Sequence, residues 1–367
     1  MKRRALTGGE RADWLRLSRT RGIGPITFFH LLERYGSAAA VLEDLPSLAK
    51  KAGGKAEVKA PDLSDIQREI DATAKLGAAH LAACEPDYSA CLAAIDAPPP
   101  IIAIRGNRAL LGRQSIALVG ARDASAAGRR MARDLARDLG QAGYVIVSGM
   151  ARGIDGEAHA ASMDTGTVAA IAGGIDQIYP PQHEQLYGVL AQRGCLVSES
   201  PLGYVAQARD FPKRNRVISG LSLATIVVEA AERSGSLITA RFALEQGREV
   251  MAVPGSPLDP RARGANRLLK QGAALIESAE DVLHAMEGIS PPTFDEPFAD
   301  RFDARDADVP PALLRAVREA LSPTPMRIEE IVRAVDAPHR LVAAALAELE
   351  LAGHAQTHVG GTASRAV

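Results

Sequence analysis

The chain has 367 residues, 47% of them hydrophobic, enough for a sizeable core and for more than one domain. Its 43 lysines and arginines face 44 acids, a net charge of −1, which excludes a global basic field; contact with a polyanion must come from local patches. Three cysteines, Cys84, Cys91 and Cys195, include no CxxC pair, which argues against a disulfide scaffold or zinc module and fits a reducing compartment. The segment from Met1 to Trp14 has cations but no apolar centre, and no run of about 18 apolar residues occurs, so a soluble cytoplasmic chain is expected.

Residues 10 to about 75 predict small helices, the clearest in RGIGPITFFHLLERYGS, Arg21 to Ser37. There the Gly22-Ile23-Gly24 turn precedes apolar Ile26, Phe29, Leu31 and Leu32, with Gly36 as a C-cap. In helix-hairpin-helix modules a Gly-x-Gly turn presents backbone N–H groups to a DNA phosphate; a tight corner in a helical bundle has the same spelling. Lys50 to Asp62, rich in Lys, Gly, Ala and Pro, reads as a loose connection.

From about His80 the texture changes to short apolar runs alternating with amphipathic stretches. Ala79 to Ala83 and Ile101 to Ile104 read as outer strands. Ile116 to Val119, Val145 to Val147, Val168 to Ala172, Leu196 to Val197, Ala224 to Val228 and Val250 to Val253 follow. Repeated β–turn–α units of this length predict an α/β domain built on a Rossmann-like, doubly wound parallel sheet. Met286 to Pro311 is acidic and Pro-rich with no apolar period, a linker by composition. Beyond it, Ala312 to Leu321, Arg327 to Val335 and Pro338 to Ala352 predict three helices, and Gly353 to Gly361 a short wing. That order is the winged-helix pattern, with His339 and Arg340 a sparse basic complement for a groove-reading helix, so duplex binding and protein docking both stay open.

In a doubly wound sheet ligands sit outside the carboxyl ends of the strands, so the residues after each strand carry the functional signal. These are Gly120-Ala121-Arg122, then Ser148-Gly149-Met150-Ala151-Arg152, then Gly173-Gly174 running on to Tyr179-Pro180-Pro181, and Ser234-Gly235-Ser236. Just before the Ala224 strand, FPKRNR places Phe211, Lys213, Arg214 and Arg216 within six residues. Cations, a stacking ring and open N–H donors at Ser148-Gly149 and Ser234-Gly235 suit a negatively charged polymer or nucleotide better than a neutral metabolite. The turn GARDAS lacks the G-x-G-x-x-G of dinucleotide folds, and no P-loop, G-x-S-x-G elbow or zinc spacing occurs. Asp155, Asp176, Glu199 and Glu229 have no paired base and nucleophile, so they are read as capping or structural groups, with Arg152 a possible brace for Asp155 or Asp176. His354 and His358 are read as solvated.

VGARDASAAG (Val119 to Gly128), SGMARGIDGEAHAAS (Ser148 to Ser162), AGGIDQIYPPQHEQL (Ala172 to Leu186), FPKRNRVISGLS (Phe211 to Ser222) and the run from Val227 to Gly255 closely resemble the bacterial DNA-processing protein A family. The likeness covers about residues 80 to 285; the GIGP segment resembles that family's sterile-alpha-motif-like front domain and the tail its winged-helix extension. The implied layout is a helical domain over 1–76, the Rossmann-like domain over 77–288, a linker over 289–310 and a winged helix over 311–367. The resemblance implies a non-catalytic protein that binds and protects single-stranded DNA in natural transformation and helps load the recombinase RecA onto strands coated by single-strand-binding protein. It further implies a homodimer through the Rossmann-like domain, with no cofactor, metal or membrane. The DNA-binding set it implies is Gly120, Arg122, Ser148, Gly149, Arg152, Arg209, Phe211, Lys213, Arg214, Asn215, Arg216, Ser234, Gly235 and Ser236, with Ala121 where the family usually carries Ser. Two other readings compete. One is a nucleotide-cleaving enzyme of the lysine-decarboxylase-like group, whose PGGxGTxxE pattern is missing here; the other is a regulator acting through the winged helix.

Overall fold

The computed structural model describes residues 3–51, 58–291, 309–358 and 361–366. The chain opens with four helices, α1 (Gly8–Ser18), α2 (Pro25–Tyr35), α3 (Ala38–Lys51) and α4 (Leu63–Lys75). Thr7 and Glu10 close a capping box on α1, and Pro25 starts α2 at the position where a missing N–H costs nothing. The inner faces meet around Trp14, Phe28 and Phe29, whose rings pack edge to face at 5.0–6.4 Å. These apolar residues belong to one continuous core with sheet residues such as Leu81, Val119 and Val147, so the front helices do not fold around a separate interior.

Next come β1 (Ala78–Ala82), the short α5 (Ala90–Ala93), β2 (Ile101–Gly106), β3 (Ser115–Gly120), α6 (Ala126–Gln141) and β4 (Val145–Ser148). Then follow α7 (Ile154–Ala161), β5 (Thr167–Ile171), α8 (Glu184–Arg193), β6 (Cys195–Ser198), α9 (Asp210–Leu221) and β7 (Ala224–Val228). The domain ends with α10 (Ser236–Glu245), β8 (Glu249–Ala252), α11 (Arg263–Lys270), β9 (Ala274–Leu275) and α12 (Ala279–Ala285). Among the described residues nine strands form one sheet in the order β1-β2-β6-β5-β4-β3-β7-β8-β9. The run from β6 to β9 is parallel throughout, while β2 pairs antiparallel with both β1 and β6. The chain winds outward from β3 to β6 and then returns to place β7 on the other flank of β3, so the topological switch lies between β3 and β7. The central strands are buried on both faces, only Gly120 at the end of β3 being partly exposed, which is why they read as unbroken Val/Ile/Ala runs rather than alternating ones.

The predicted strands lie where expected, with β9 the exception: at two residues, Ala274 and Leu275, it is too short to leave a period. FPKRNR, which lies just before the Ala224 strand, forms the first half of α9. Pro212 sits in the opening turn, where its ring displaces no helical hydrogen bond. Ser148 ends β4 and Gly149 follows it, and α7 begins only at Ile154 behind Gly153, so the open donors expected at this pair are not those of a helix N-terminus.

The tail folds as α13 (Pro311–Ala320), β10 (Met326–Arg327), α14 (Ile328–Val335), α15 (His339–Leu351), β11 (Ala355–His358) and β12 (Thr362–Arg365), around its own core of Leu314, Val317, Ile331, Leu346 and Leu349. The three strands pair in the order β10-β12-β11. His358 is tied by its Nε2 to the Ser364 hydroxyl at 2.8 Å rather than free in solvent. Residues 52–57 of the expected loose connection and 292–308 of the expected linker lie outside the described residues, as do 359 and 360 in the wing.

Candidate functional site

Every loop that leaves the carboxyl edge of the parallel sheet must turn back sharply, and the close approaches show where glycine is required. A Cβ on Gly120, at the end of β3, would lie 1.9 Å from the Val228 carbonyl oxygen. Gly153 holds φ +75 and a Cβ there would meet the Ala121 carbonyl at 2.3 Å, so the β4–α7 loop is pressed directly onto the β3–α6 loop. The two loops thereby bring Arg122 and Arg152 to one rim.

The switch-point crevice itself is filled. At the N-terminus of α6, where a dinucleotide fold would seat a pyrophosphate, the Glu229 carboxylate binds the N-cap residue Ser125. It accepts from the Ser125 backbone N–H at 2.8 Å and from the Ser125 hydroxyl, while Gly128 leaves so little room that a Cβ would meet the carboxylate at 2.5 Å. Glu229 holds a positive φ of 52 to reach this position. The anion in this cradle is the protein's own.

The open space lies one strand further along. A cavity of about 320 Å³ sits over the ends of β3, β4 and β5, lined by Arg122, Arg152, Arg214, Phe211, Tyr179 and the 171–173 and 180–182 segments. Helical spacing puts Phe211 and Arg214, three apart in α9, on the same face. The Phe211 ring is the hub: the Arg122 and Arg214 guanidinium carbons lie 5.7 and 6.0 Å from its centroid, and the Tyr179 ring 5.2 Å away at 55°. Tyr179 is half-exposed at 49%, a ring edge open to water beside three cations.

The cations differ in commitment. Arg122 is exposed and makes no ion pair among the described residues. Arg152 reaches Asp123 at 3.7 Å, an exposed pair that costs little to break, and braces neither Asp155 nor Asp176. Arg214 is fixed: its Nη1 donates to the Ala170 carbonyl at 2.6 Å, and its Nε is buried without a hydrogen-bond partner. Burial lowers the Arg214 pKa from its usual value, with Asp155 opposing and Arg122 adding to the effect. Asp155 is buried beneath it, and burial pushes this carboxyl up to about 6 despite the nearby guanidinium and a bond from the Ala151 N–H at 3.2 Å. Gly149 separates the two, since a Cβ there would lie 2.7 Å from both Arg214 Nη1 and Asp155 Oδ2.

The loop from Gly149 to Arg152 is held from below by two imidazoles. His159 is fully buried, and burial drives its pKa down to about 4, so the ring is neutral. It donates from Nε2 to the Gly149 carbonyl at 2.6 Å, and its Nδ1 faces the Thr167 hydroxyl at 2.7 Å. His183 Nδ1 meets the Met150 carbonyl at 3.1 Å.

Of the expected set, Arg122, Arg152, Phe211 and Arg214 line this cavity, and Gly149 packs directly behind it. The remaining residues are placed differently. Ser148 is fully buried and its hydroxyl donates to the Leu118 carbonyl at 2.6 Å. Arg216, also buried, donates to the Ala97 carbonyl at 2.5 Å and to both Glu199 oxygens at 2.6 and 2.5 Å, because two residues on from Arg214 the side chain leaves the opposite side of the helix, into the fold. Asn215 spends its Nδ2 on the Gly235 carbonyl at 3.1 Å, and the Ser234 and Ser236 hydroxyls bond each other at 2.7 Å, so the Ser234–Ser236 turn is sewn to α9 rather than lining the cavity. Gly120, the last residue of β3, is packed against Val228 of β7 and Ile154 of α7, while Lys213 and Arg209 are exposed on either side of the α9 start. Sequence reasoning named Tyr179 only as part of a turn; an aromatic in a Gly/Pro-rich loop at the carboxyl edge was the signal for it. The four acids are all structural: Asp155 and Glu229 as above, Asp176 accepting from the Gly203 N–H at 2.8 Å, and Glu199 on Arg216. Among the described residues no group of three or more His, Cys, Asp and Glu side chains is placed to hold a metal ion.

A closed phosphate cradle beside an arginine-rich, two-ringed pocket defines a Rossmann-like protein that has given up the dinucleotide seat of its fold. Comparison with known proteins narrows the class. The model of the DNA recombination-mediator protein A family matches residues 79–287, and the DprA-like N-terminal HHH domain and DprA winged helix domain match 8–72 and 303–361. The chain belongs to the DNA recombination-mediator protein A family. It is 46% identical to the DNA processing protein DprA of Bacillus subtilis over 202 residues, 54% of this chain and 68% of that one. It is 39% identical to the Escherichia coli protein Smf over 274 residues, 72% and 71% of the two chains. The fold matches the DprA of Streptococcus pneumoniae at a TM-score of 0.64, with 32% identity over 77% of this chain and 98% of that one. It also matches DNA processing protein A of Helicobacter pylori, studied for its single-stranded DNA binding mode, at 0.52, with 26% identity over 57% and 95%. No described helix is long and apolar enough to cross a membrane.

Proposed function

We propose that this protein is a non-catalytic recombination mediator that holds single-stranded DNA at the cavity formed by Arg122, Arg152, Arg214, Phe211 and Tyr179. One observation carries the reading: three guanidinium groups and two rings converge on one open cavity while the neighbouring nucleotide-phosphate seat is occupied by Glu229. Unpaired strands are bound in this way, by cations tracking phosphates and rings stacking on bases, with little demand on sequence. The enzyme alternative loses support because the carboxylates near the cavity are each engaged by the fold rather than paired with a nucleophile. The family's role as a recombination mediator supports delivery of the bound strand to the recombinase RecA and protection of that strand alongside single-strand-binding protein, with a homodimer through the Rossmann-like domain as the working unit. The three buried, unpaired cysteines fit the reducing cytoplasm where that work takes place.

The test is a salt series of fluorescence anisotropy with single-stranded and duplex oligonucleotides. Three phosphate contacts predict a log–log slope of about −2 on single strands, from ~0.7 per contact. Arg122→Ala lowers the magnitude of that slope by roughly one contact, and Tyr179→Ala weakens binding by about 1–3 kcal/mol without changing it. A wild-type response flat in salt, or release of free base from nucleotides by the pure protein, overturns the proposal.

A further inference from the structure

The winged-helix fold places its third helix, α15, where such modules read a duplex groove. In this chain that helix is covered on both sides. Val342, Ala345, Leu346 and Leu349 face the core of the module, as the fold requires. Ala343, Ala347, Glu348 and Leu351 are also buried, and α15 packs on α2 and α3 of the N-terminal helices.

The contact is specific rather than merely greasy. Glu348 is 2% exposed and forms an ion pair with Arg34 of α2 at 2.6 Å. Glu350 bonds the Thr27 hydroxyl of α2 and, within the module, accepts from the Thr357 N–H at 3.1 Å and hydroxyl at 2.9 Å. The Gly22-Ile23-Gly24 turn belongs to the same contact: a Cβ on Gly22 would stand 3.3 Å from the Glu350 carbonyl oxygen, and Leu351 joins the core around Trp14 and Phe28. A carboxylate buried at an interface is costly unless its partner is in place, so Glu348 marks a face shaped for Arg34. A phosphate backbone would meet two carboxylates there.

We propose that this face of α15 is a protein-docking surface whose partner is the N-terminal helical domain of the same chain, and that the winged helix serves as a clasp over the Gly22–Gly24 turn rather than as a duplex reader. The proposal does not depend on the single-strand cavity. It is tested on the full chain carrying spin labels at Ala39→Cys and Arg318→Cys, exposed positions on α3 and α13, read as an inter-label distance distribution. Arg34→Glu and Glu348→Arg each place like charges against one another and shift the distribution to longer distances; the double swap R34E/E348R returns it. Thr27→Val, a milder change on the same face, broadens it and shows the effect in a protein whose fold is undisturbed. Saturating duplex DNA leaves the wild-type distribution unchanged. Wild-type distances in both charge variants, or labels driven apart by duplex DNA in the wild type, overturn the proposal.

Discussion

Within α9 neighbouring residues do opposite work. Arg214 and Arg216 are two apart in one basic motif, yet the first borders the cavity and the second is locked to Glu199 and the Ala97 carbonyl. Arg216→Ala strands Glu199, which keeps about a third of its surface in water, so the cost is put at about 3 kcal/mol, the low end for breaking a buried pair. Chemical denaturation shows the loss while the single-strand salt slope stays unchanged. Gly149→Ala pushes a methyl between Arg214 and Asp155; overpacking of this kind costs about 1–3 kcal/mol, and displacement of Arg214 weakens strand binding in anisotropy. Asp155 sets a pH dependence. Its folded pKa of about 6 stands above the usual carboxylate value, so its ionisation opposes folding above pH 6 and the opposition disappears below about 4. Thermal melts from pH 7.5 to 5 therefore gain stability from this group, and Asp155→Asn flattens that part of the curve. The chemistry of Arg122, Arg152, Phe211 and Arg214 was legible in the sequence because charge and ring type announce themselves. Which way a side chain points was not, since Arg216 turns inward only because α9 is helical and packs on the sheet.

At the scale of elements, the strands were legible because doubly buried parallel strands need continuous β-branched runs, and Ala224 to Val228 is such a run to the residue. The helix at Asp210–Leu221 was not, because a proline and three cations in its first turns hide the apolar period that begins only at Val217. The role of Glu229 was equally hidden: an acid at a strand end spells a cap or a catalyst alike until the partner loop is placed. Glu229→Ala removes the acceptor from the Ser125 N–H and the negative charge from the α6 N-terminus. The expected loss is about 1–2 kcal/mol in denaturant unfolding, with single-strand affinity retained because neither Glu229 nor Ser125 lines the cavity.

For the whole molecule, the order of helical front, α/β centre and winged tail could be read from changes in apolar period. The joining of those parts could not, because it depends on faces that no local pattern reveals. The front helices share the core of the sheet, and Trp14 lies within that shared interior. As the single tryptophan in the chain, it reports on both. Fluorescence and far-UV circular dichroism of the front and centre are expected to follow one coincident transition, and a separate early loss of the tryptophan signal would show the helices melting alone.

The carboxylate of Glu229 has a wider meaning for life in a crowded cell. ATP, NAD and related small nucleotides are everywhere in such a compartment, and an empty seat at the start of α6 would draw them in. With Glu229 on Ser125 and against Gly128, the chain sets a negative charge of its own at that seat, which repels such phosphates. Under the proposed function, preference for a long strand over loose nucleotides then starts from this internal carboxylate.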